Sequence, residues 1–384
     1  MTITRAQVTI LLGALALINC GFAALLIWPA YVSGAVTGQI PDFAAFWAAG
    51  AMTLEGTPAL AYDWPAHRTA EVAGLGREFD GWMPWHYPPT AQVLVTPLAV
   101  LPLFPAMAVW LAVTGALFLW TCWRILPDRC AVLAGFAAAP TALTLVNGQM
   151  GFLLAAAMGL ALLNLERMPV RAGTVLAVLS IKPHLVAAVP LVLAAAGRWR
   201  ALAAGALGTL ALAAASWALL GGGTWAAFVT SIERTAAAFT GDGAVVQRWV
   251  MGAGAYGWLR YQGFGSGTAL AAQGIVSLAV LWLTVRAWRD RALGADIKAA
   301  LLAYGALAAA PRVLSYDLHI LVIGALFQVR HGLRAGFAWW ELWLLALAAV
   351  GATLSLVAPP GAMPVLAVVL FTGCWAARRG ITAG

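Results

Sequence analysis

Apolar runs long enough to cross a bilayer recur along almost the whole chain, and they constrain its fold more than any other feature. About 20 apolar residues span the hydrocarbon core as a helix. Lipid offers no partner to backbone N–H and C=O groups, so only helices or closed barrels can cross it. The runs here are continuous rather than alternating, which fits helices and excludes an outer-membrane barrel. Only 9% of residues are charged and 63% are hydrophobic, against roughly 25% charged in a soluble domain. The expected fold is therefore an all-α polytopic membrane protein, with residues 1–384 forming a single integral-membrane domain.

Spans are expected near 8–28, 90–123, 130–146, 150–165, 172–196, 201–220, 268–286, 296–310, 318–329, 338–357 and 362–377. Leu101-Pro102-Leu103-Phe104-Pro105 interrupts the 90–123 run, and Lys182-Pro183-His184 interrupts the 172–196 run. Each of these runs reads as one span or two, which gives a count of about 12. The first apolar run has no small-residue cleavage site after it and reads as a retained helix.

The net charge of +8 does not point to nucleic acid, because the basic residues stand singly between apolar runs. They read as topology signals. Arg124 and Arg129, Arg167 and Arg171, Arg198 and Arg200, Arg286 to Arg291, Arg330 and Arg334, and Arg378 and Arg379 each mark a short turn. The positive-inside rule places such turns in the cytoplasm. Two longer polar segments, 31–89 and 221–267, then face the outside. The 19 Trp gather near span ends and in these loops, as aromatic belts do. The four cysteines lie in or beside apolar runs without metal-ligand spacing.

The 31–89 loop is unusual for so apolar a chain. Asp42, Glu55, Asp63, Glu71, Glu78 and Asp80 place 6 of the 14 acidic residues there. Concentrated carboxylates on one face of a membrane suggest chemistry or recognition at that surface. Asp42 opens Pro41-Asp42-Phe43-Ala44-Ala45-Phe46-Trp47. It suits a helix N-cap and equally a catalytic base. Phe43, Phe46, Trp47 and Leu54 share a face, so the segment from 43 to 54 is expected to lie flat in the interface.

Other polar groups punctuate the apolar sequence. Trp85-His86-Tyr87-Pro88-Pro89 reads as a rigid re-entry turn, or as substrate contacts through His86 and Tyr87. Asn147 and Gln149 flank Gly148, and their amides suit either a sugar or a helix end. Lys182 stands mid-run, where a charge costs about 2.5–3.5 kcal/mol and so faces a cavity or partner, or snorkels. Pro311-Arg312-Val313-Leu314-Ser315-Tyr316-Asp317-Leu318-His319 reads as an Arg–Asp pair fixing helix ends, or as a phosphate site of Arg312 and His319. Arg248, in the second outer loop, is a further phosphate candidate.

These motifs in their order resemble glycosyltransferase family 87. The resemblance is carried by Asp42-Phe43-x-x-Phe46-Trp47, Ala61-Tyr62-Asp63, Tyr87-Pro88-Pro89 and Leu98-Ala99-Val100-Leu101-Pro102. Asn147-Gly148-Gln149, Lys182-Pro183, Arg198-Trp199-Arg200 and Ser315-Tyr316-Asp317-Leu318-His319 complete it. Met150 and Gly151 depart from the family pattern.

The resemblance implies a GT-C type helical bundle with short interfacial helices in its outer loops. It implies inverting transfer of a sugar, mannose first, from a polyprenyl-phosphate-sugar donor to a lipid or glycan acceptor. Asp42 maps to the catalytic base. Lys182 and His319 map to the donor-phosphate pocket, and Asp63 falls among the motif residues facing substrate. The expected setting is the plasma membrane, with the site on the extracytoplasmic side. No cofactor is implied, and a metal requirement is left open. The competing class is a transporter or flippase, which calls for charges at mid-membrane from several helices.

Overall fold

The computed structural model describes residues 5–21, 41–79, 83–240 and 252–354, and the described residues contain no strand. The helices are α1 (Arg5–Gly21), α2 (Phe43–Leu54), α3 (Trp64–Leu75), α4 (Pro89–Val95), α5 (Leu103–Ile125) and α6 (Arg129–Ala137). Next come α7 (Ala139–Asn147), α8 (Gly151–Asn164), α9 (Pro169–Ala177), α10 (Ala188–Ala195), α11 (Trp199–Leu220) and α12 (Gly222–Thr240). The series ends with α13 (Ala255–Tyr261), α14 (Ser266–Arg289), α15 (Ala295–Ala309), α16 (His319–Ala335) and α17 (Trp339–Leu354). The expected span at 362–377, and with it Arg378 and Arg379, lies outside the described residues.

Three described helices, α5, α11 and α14, are long and apolar enough to cross a bilayer. The number rises to four if α6 and α7, bent by 60°, form one span. The remaining apolar helices are shorter, so the expected count of about 12 full spans is not met among the described residues. Proline sets many of the breaks. The 90–123 run divides at Pro102 into short α4, a 3-10 turn at Thr96–Val100, and full-length α5. The 172–196 run divides at Lys182-Pro183 into α9 and α10, joined by two 3-10 turns. Proline lacks the N–H and restricts the residue before it, which ends a helix there.

Breaking both runs this way brings the basic turns to one end of the bundle. Arg330 donates to the Ile125 carbonyl at the end of α5 and to Asp296 at the start of α15. Arg334 also reaches Asp296, and Arg198 pairs with Glu166. Trp288 Nε1 donates to the Lys298 carbonyl at 2.8 Å.

Helix length then shapes the opposite end. The long helices α5, α11 and α14 have 23, 22 and 24 residues, whereas α8, α15 and α16 have 14, 15 and 17. At about 1.5 Å per residue, the short ones are roughly 10 Å shorter than the long ones. Helix α15 is buried along almost its entire length. Helix α11 instead turns Leu207, Leu210 and Trp217 outward, as a lipid-facing wall would. The short helices α8, α15 and α16 are the largely buried ones of the bundle.

The helices of the first polar loop pack on one another and against the bundle. Helix α2 does not lie flat in an interface as expected. Phe43, Ala44, Ala45, Phe46, Ala48, Ala49, Gly50 and Met52 are all buried, because α3, α4 and the 3-10 segments enclose it. Gln92 of α4 stitches this cap together, donating to Thr53 Oγ1 at 2.8 Å and the Pro58 carbonyl at 2.9 Å.

Candidate functional site

The site is assembled where α2 meets the turn between α7 and α8. Asp42 occupies the N-cap position of α2, yet its side chain makes no capping hydrogen bond. Its Oδ2 instead accepts from Gln149 Nε2 at 2.6 Å. Gln149 Oε1 in turn accepts from the Tyr87 hydroxyl at 3.2 Å. A backbone arrangement sets this geometry. Gly148 ends α7 in the left-handed conformation at φ 68°, and a Cβ there would lie 2.5 Å from Phe43 Cβ. Glycine supplies both the φ and the close approach.

Every part of the Asp42 motif finds a distinct partner. Phe46 packs edge-on to Tyr87 at 5.3 Å and to Trp85 at 5.9 Å. Trp47 Nε1 donates to the Leu101 carbonyl at 2.8 Å. The Tyr62 hydroxyl donates to the Tyr87 carbonyl at 2.9 Å. The re-entry turn is therefore rigid, and it also aims the Tyr87 hydroxyl at Gln149.

Facing Asp42 is a buried ion pair. Lys182 Nζ lies 2.6 Å from Asp317 Oδ1, with the two residues only 5% and 1% exposed. The ammonium also sits 5.0 Å from the centroid of the Tyr316 ring. Asp317 Oδ2 accepts from the Leu314 N–H at 3.0 Å, which closes the turn before α16. Lys182 therefore does not snorkel, and Asp317 takes Lys182 as its hydrogen-bonded partner rather than the expected Arg312. Arg312 is half-buried, within electrostatic range of Asp317, Tyr316, Tyr87 and Tyr256. The far side of this turn is pinned by the Ala253 N–H, which donates to the Val313 carbonyl at 2.8 Å.

Electrostatics distinguish the carboxyls of the first polar loop. Burial pushes Asp42 up to about 6, while the Gln149 amide and the Lys182 charge pull it partly back. Helix α3 carries a second buried pair, His67 and Glu71, 3.7 Å apart. Burial raises Glu71 to about 8 and lowers His67 to about 4, so both are mainly neutral at pH 7. Among the described residues, no three His, Cys, Asp or Glu side chains form a set suited to a metal ion.

Several expected contacts fall elsewhere. Asp63 is exposed, and its Oδ1 accepts from the Ala66 N–H at 3.0 Å as the N-cap of α3. Asn147 turns back along its own helix to the Leu143 carbonyl at 2.9 Å. His86 Nδ1 lies 3.2 Å from Thr235 Oγ1 of α12. His319 is fully buried between Phe118 and Phe152. Its Nδ1 donates to the Tyr316 carbonyl at 2.9 Å, and its Nε2 lies 3.2 Å from the Thr141 hydroxyl. Both ring nitrogens are thus committed to protein atoms, because Gly151 lets the start of α8 press against Tyr316 and His319. Arg248 lies outside the described residues.

Of the expected set, the structure brings together Asp42, Gln149, Tyr87, Lys182 and Arg312. Sequence reasoning did not single out Tyr316 or give Asp317 its true partner. The Ser-Tyr-Asp-Leu-His motif was the available signal for both.

The site thus sets a buried carboxylate near a buried Lys–Asp pair within an apolar helical bundle. Residues 85–311 match the sequence model of glycosyltransferase family 87. That match covers more than half of the chain, and the chain belongs to this family of glycosyltransferases. The matched span contains Tyr87, Gln149 and Lys182, whereas Asp42, Arg312 and Asp317 flank it. No curated protein and no solved structure gives a match.

Proposed function

We propose that this glycosyltransferase moves a sugar, mannose first, from a polyprenyl-phosphate-sugar to a lipid or glycan acceptor with inversion. The observation that carries this reading is the orientation of Asp42. Its carboxylate leaves the helix end that it is placed to cap and is held by an uncharged amide toward the Lys182 region. A group held near a pKa of about 6 is largely ionised at neutral pH and still basic enough to accept a proton.

In this mechanism the Asp42 carboxylate takes the proton of an acceptor hydroxyl. The hydroxyl oxygen attacks the anomeric carbon, and the bond from that carbon to the phosphate oxygen breaks. Its electron pair leaves with the polyprenyl phosphate. The leaving group needs charge stabilisation rather than a proton, and Arg312, beside the Lys182–Asp317 pair, supplies fixed positive charge in a low-dielectric setting. Tyr87 and Gln149 keep the base oriented. The setting is the plasma membrane, with the site outside. This is supported by the basic turns gathering at the end of the bundle opposite Asp42, as the positive-inside rule asks of a cytoplasmic face.

Membranes containing the protein, incubated with radiolabelled polyprenyl-phosphate-mannose and a lipid extract, test the reading. Transfer from this donor, absent with a nucleotide-mannose, is expected. Transfer from the nucleotide donor alone would overturn it.

A further inference from the structure

Two polar side chains beside the Lys182–Asp317 pair have no part in the mechanism above. His184 lies two residues after Lys182, in the 3-10 turn Pro183–Leu185 between α9 and α10. Tyr316 directly precedes Asp317, in the 3-10 turn Ser315–Leu318 before α16. Both stand within electrostatic range of Asp317 and Arg312. Tyr316 is also within range of Asp42 and Tyr87, and the Lys182 ammonium lies 5.0 Å from its ring centroid.

Their neighbours are committed and they are not. Lys182 is bonded to Asp317, and Asp317 also accepts from the Leu314 N–H. The ring nitrogens of His319 are taken up by the Tyr316 carbonyl and Thr141, so the imidazole that the family resemblance points to is closed to a ligand. The Tyr316 hydroxyl and both His184 ring nitrogens make no hydrogen bond among the described residues, yet none of these atoms is sealed inside the protein. Tyr316 is only 4% exposed, so its hydroxyl opens on a confined space rather than a free surface.

We infer that His184 and Tyr316 are neutral hydrogen-bond donors to the phosphate of the lipid donor, completing a subsite with Arg312. The inference rests on the proposed donor and adds the residues that hold its phosphate. Phosphate oxygens only accept, and an imidazole N–H and a phenol O–H can both donate. When the bond from the anomeric carbon to the phosphate oxygen breaks, that oxygen keeps the electron pair. The phosphate passes from one negative charge to two. Both residues keep their protons, and their hydrogen bonds strengthen as the charge grows. A further unpaired cation would be costly to bury there, which favours neutral donors.

The test is binding of farnesyl phosphate, and of farnesol as the same chain without phosphate, to the purified full-length protein. Wild type should bind the phosphate more tightly than the alcohol. Tyr316→Phe keeps the ring beside Lys182 and removes one hydroxyl, and His184→Leu removes the imidazole. Each should weaken farnesyl phosphate about tenfold, as loss of a hydrogen bond to a charged group does. Farnesol binding and the melting temperature should not change. His184→Gln, which returns an amide N–H, should recover part of the loss, and it replaces the leucine variant if that one does not fold. Unchanged affinity for farnesyl phosphate in the folded variants overturns the inference. An equal loss for farnesol also overturns it, since the two residues would then serve the chain. So does a raised KM for the acceptor with donor binding intact. Asp42→Asn should bind farnesyl phosphate like wild type, so the base and the phosphate subsite fail separately. Wild type that binds the phosphate no better than the alcohol would remove the proposed donor, and the inference with it.

Discussion

The two ends of the bundle use carboxylates in opposite ways. At the basic end, Asp296 is held by Arg330 and Arg334, and Glu166 by Arg198. Each acidic charge is neutralised, and each pair ties one helix terminus to another. At the capped end, Asp42 is held by a neutral amide, while the nearest cation, Lys182, is hydrogen-bonded to Asp317. A carboxylate kept from direct pairing in a buried setting gains nothing for stability. The difference separates charges that staple a fold from one that is kept reactive.

Substitutions at the two ends should break that contrast if it is mistaken. Asp42→Asn is expected to have the largest effect, lowering transfer by about 10²–10⁴ while the melting temperature stays near wild type. Near-wild-type turnover in that variant would remove Asp42 as the base. Lys182→Met leaves Asp317 buried and unpaired, which costs about 3–5 kcal/mol in thermal or denaturant unfolding. Adding Asp317→Leu should restore stability without restoring transfer. If activity returns as well, the pair is only a staple.

At the other end, Arg330→Met should cost about 3 kcal/mol, since Asp296 is mostly buried, and leave kcat per folded enzyme unchanged. Gln149→Leu removes one hydrogen bond to a charge, worth about 1.5 kcal/mol, so kcat should fall roughly tenfold. The wild-type rate should drop as pH falls through about 6, when Asp42 takes up a proton. Because the Gln149 bond lowers that pKa, the midpoint should move upward in the variant.

The smallest effect concerns Glu71. Its folded pKa of about 8 exceeds the unfolded value of 4.5. Its contribution is thus fully present below about 4.5 and is lost as pH rises through about 8. Glu71→Gln should flatten that part of the stability profile.

Periodicity and composition alone carried the helical class, the placement of most described helices to within a few residues, and the basic turns. Those features are local. A run of apolar side chains must enter lipid whichever neighbours it meets, and proline must break it wherever it stands. The Asp42 motif and Lys182 also stood out, because polar groups are rare in such a chain. Only the tertiary structure decided what each polar group does. Spacing does not reveal that Asp317 bonds to Lys182, that Gln149 holds Asp42, or that His319 is walled in by two phenylalanines. These partners lie 135, 107 and up to 201 positions apart in the sequence. Their meeting depends on how the helices and turns pack, a property of many segments at once.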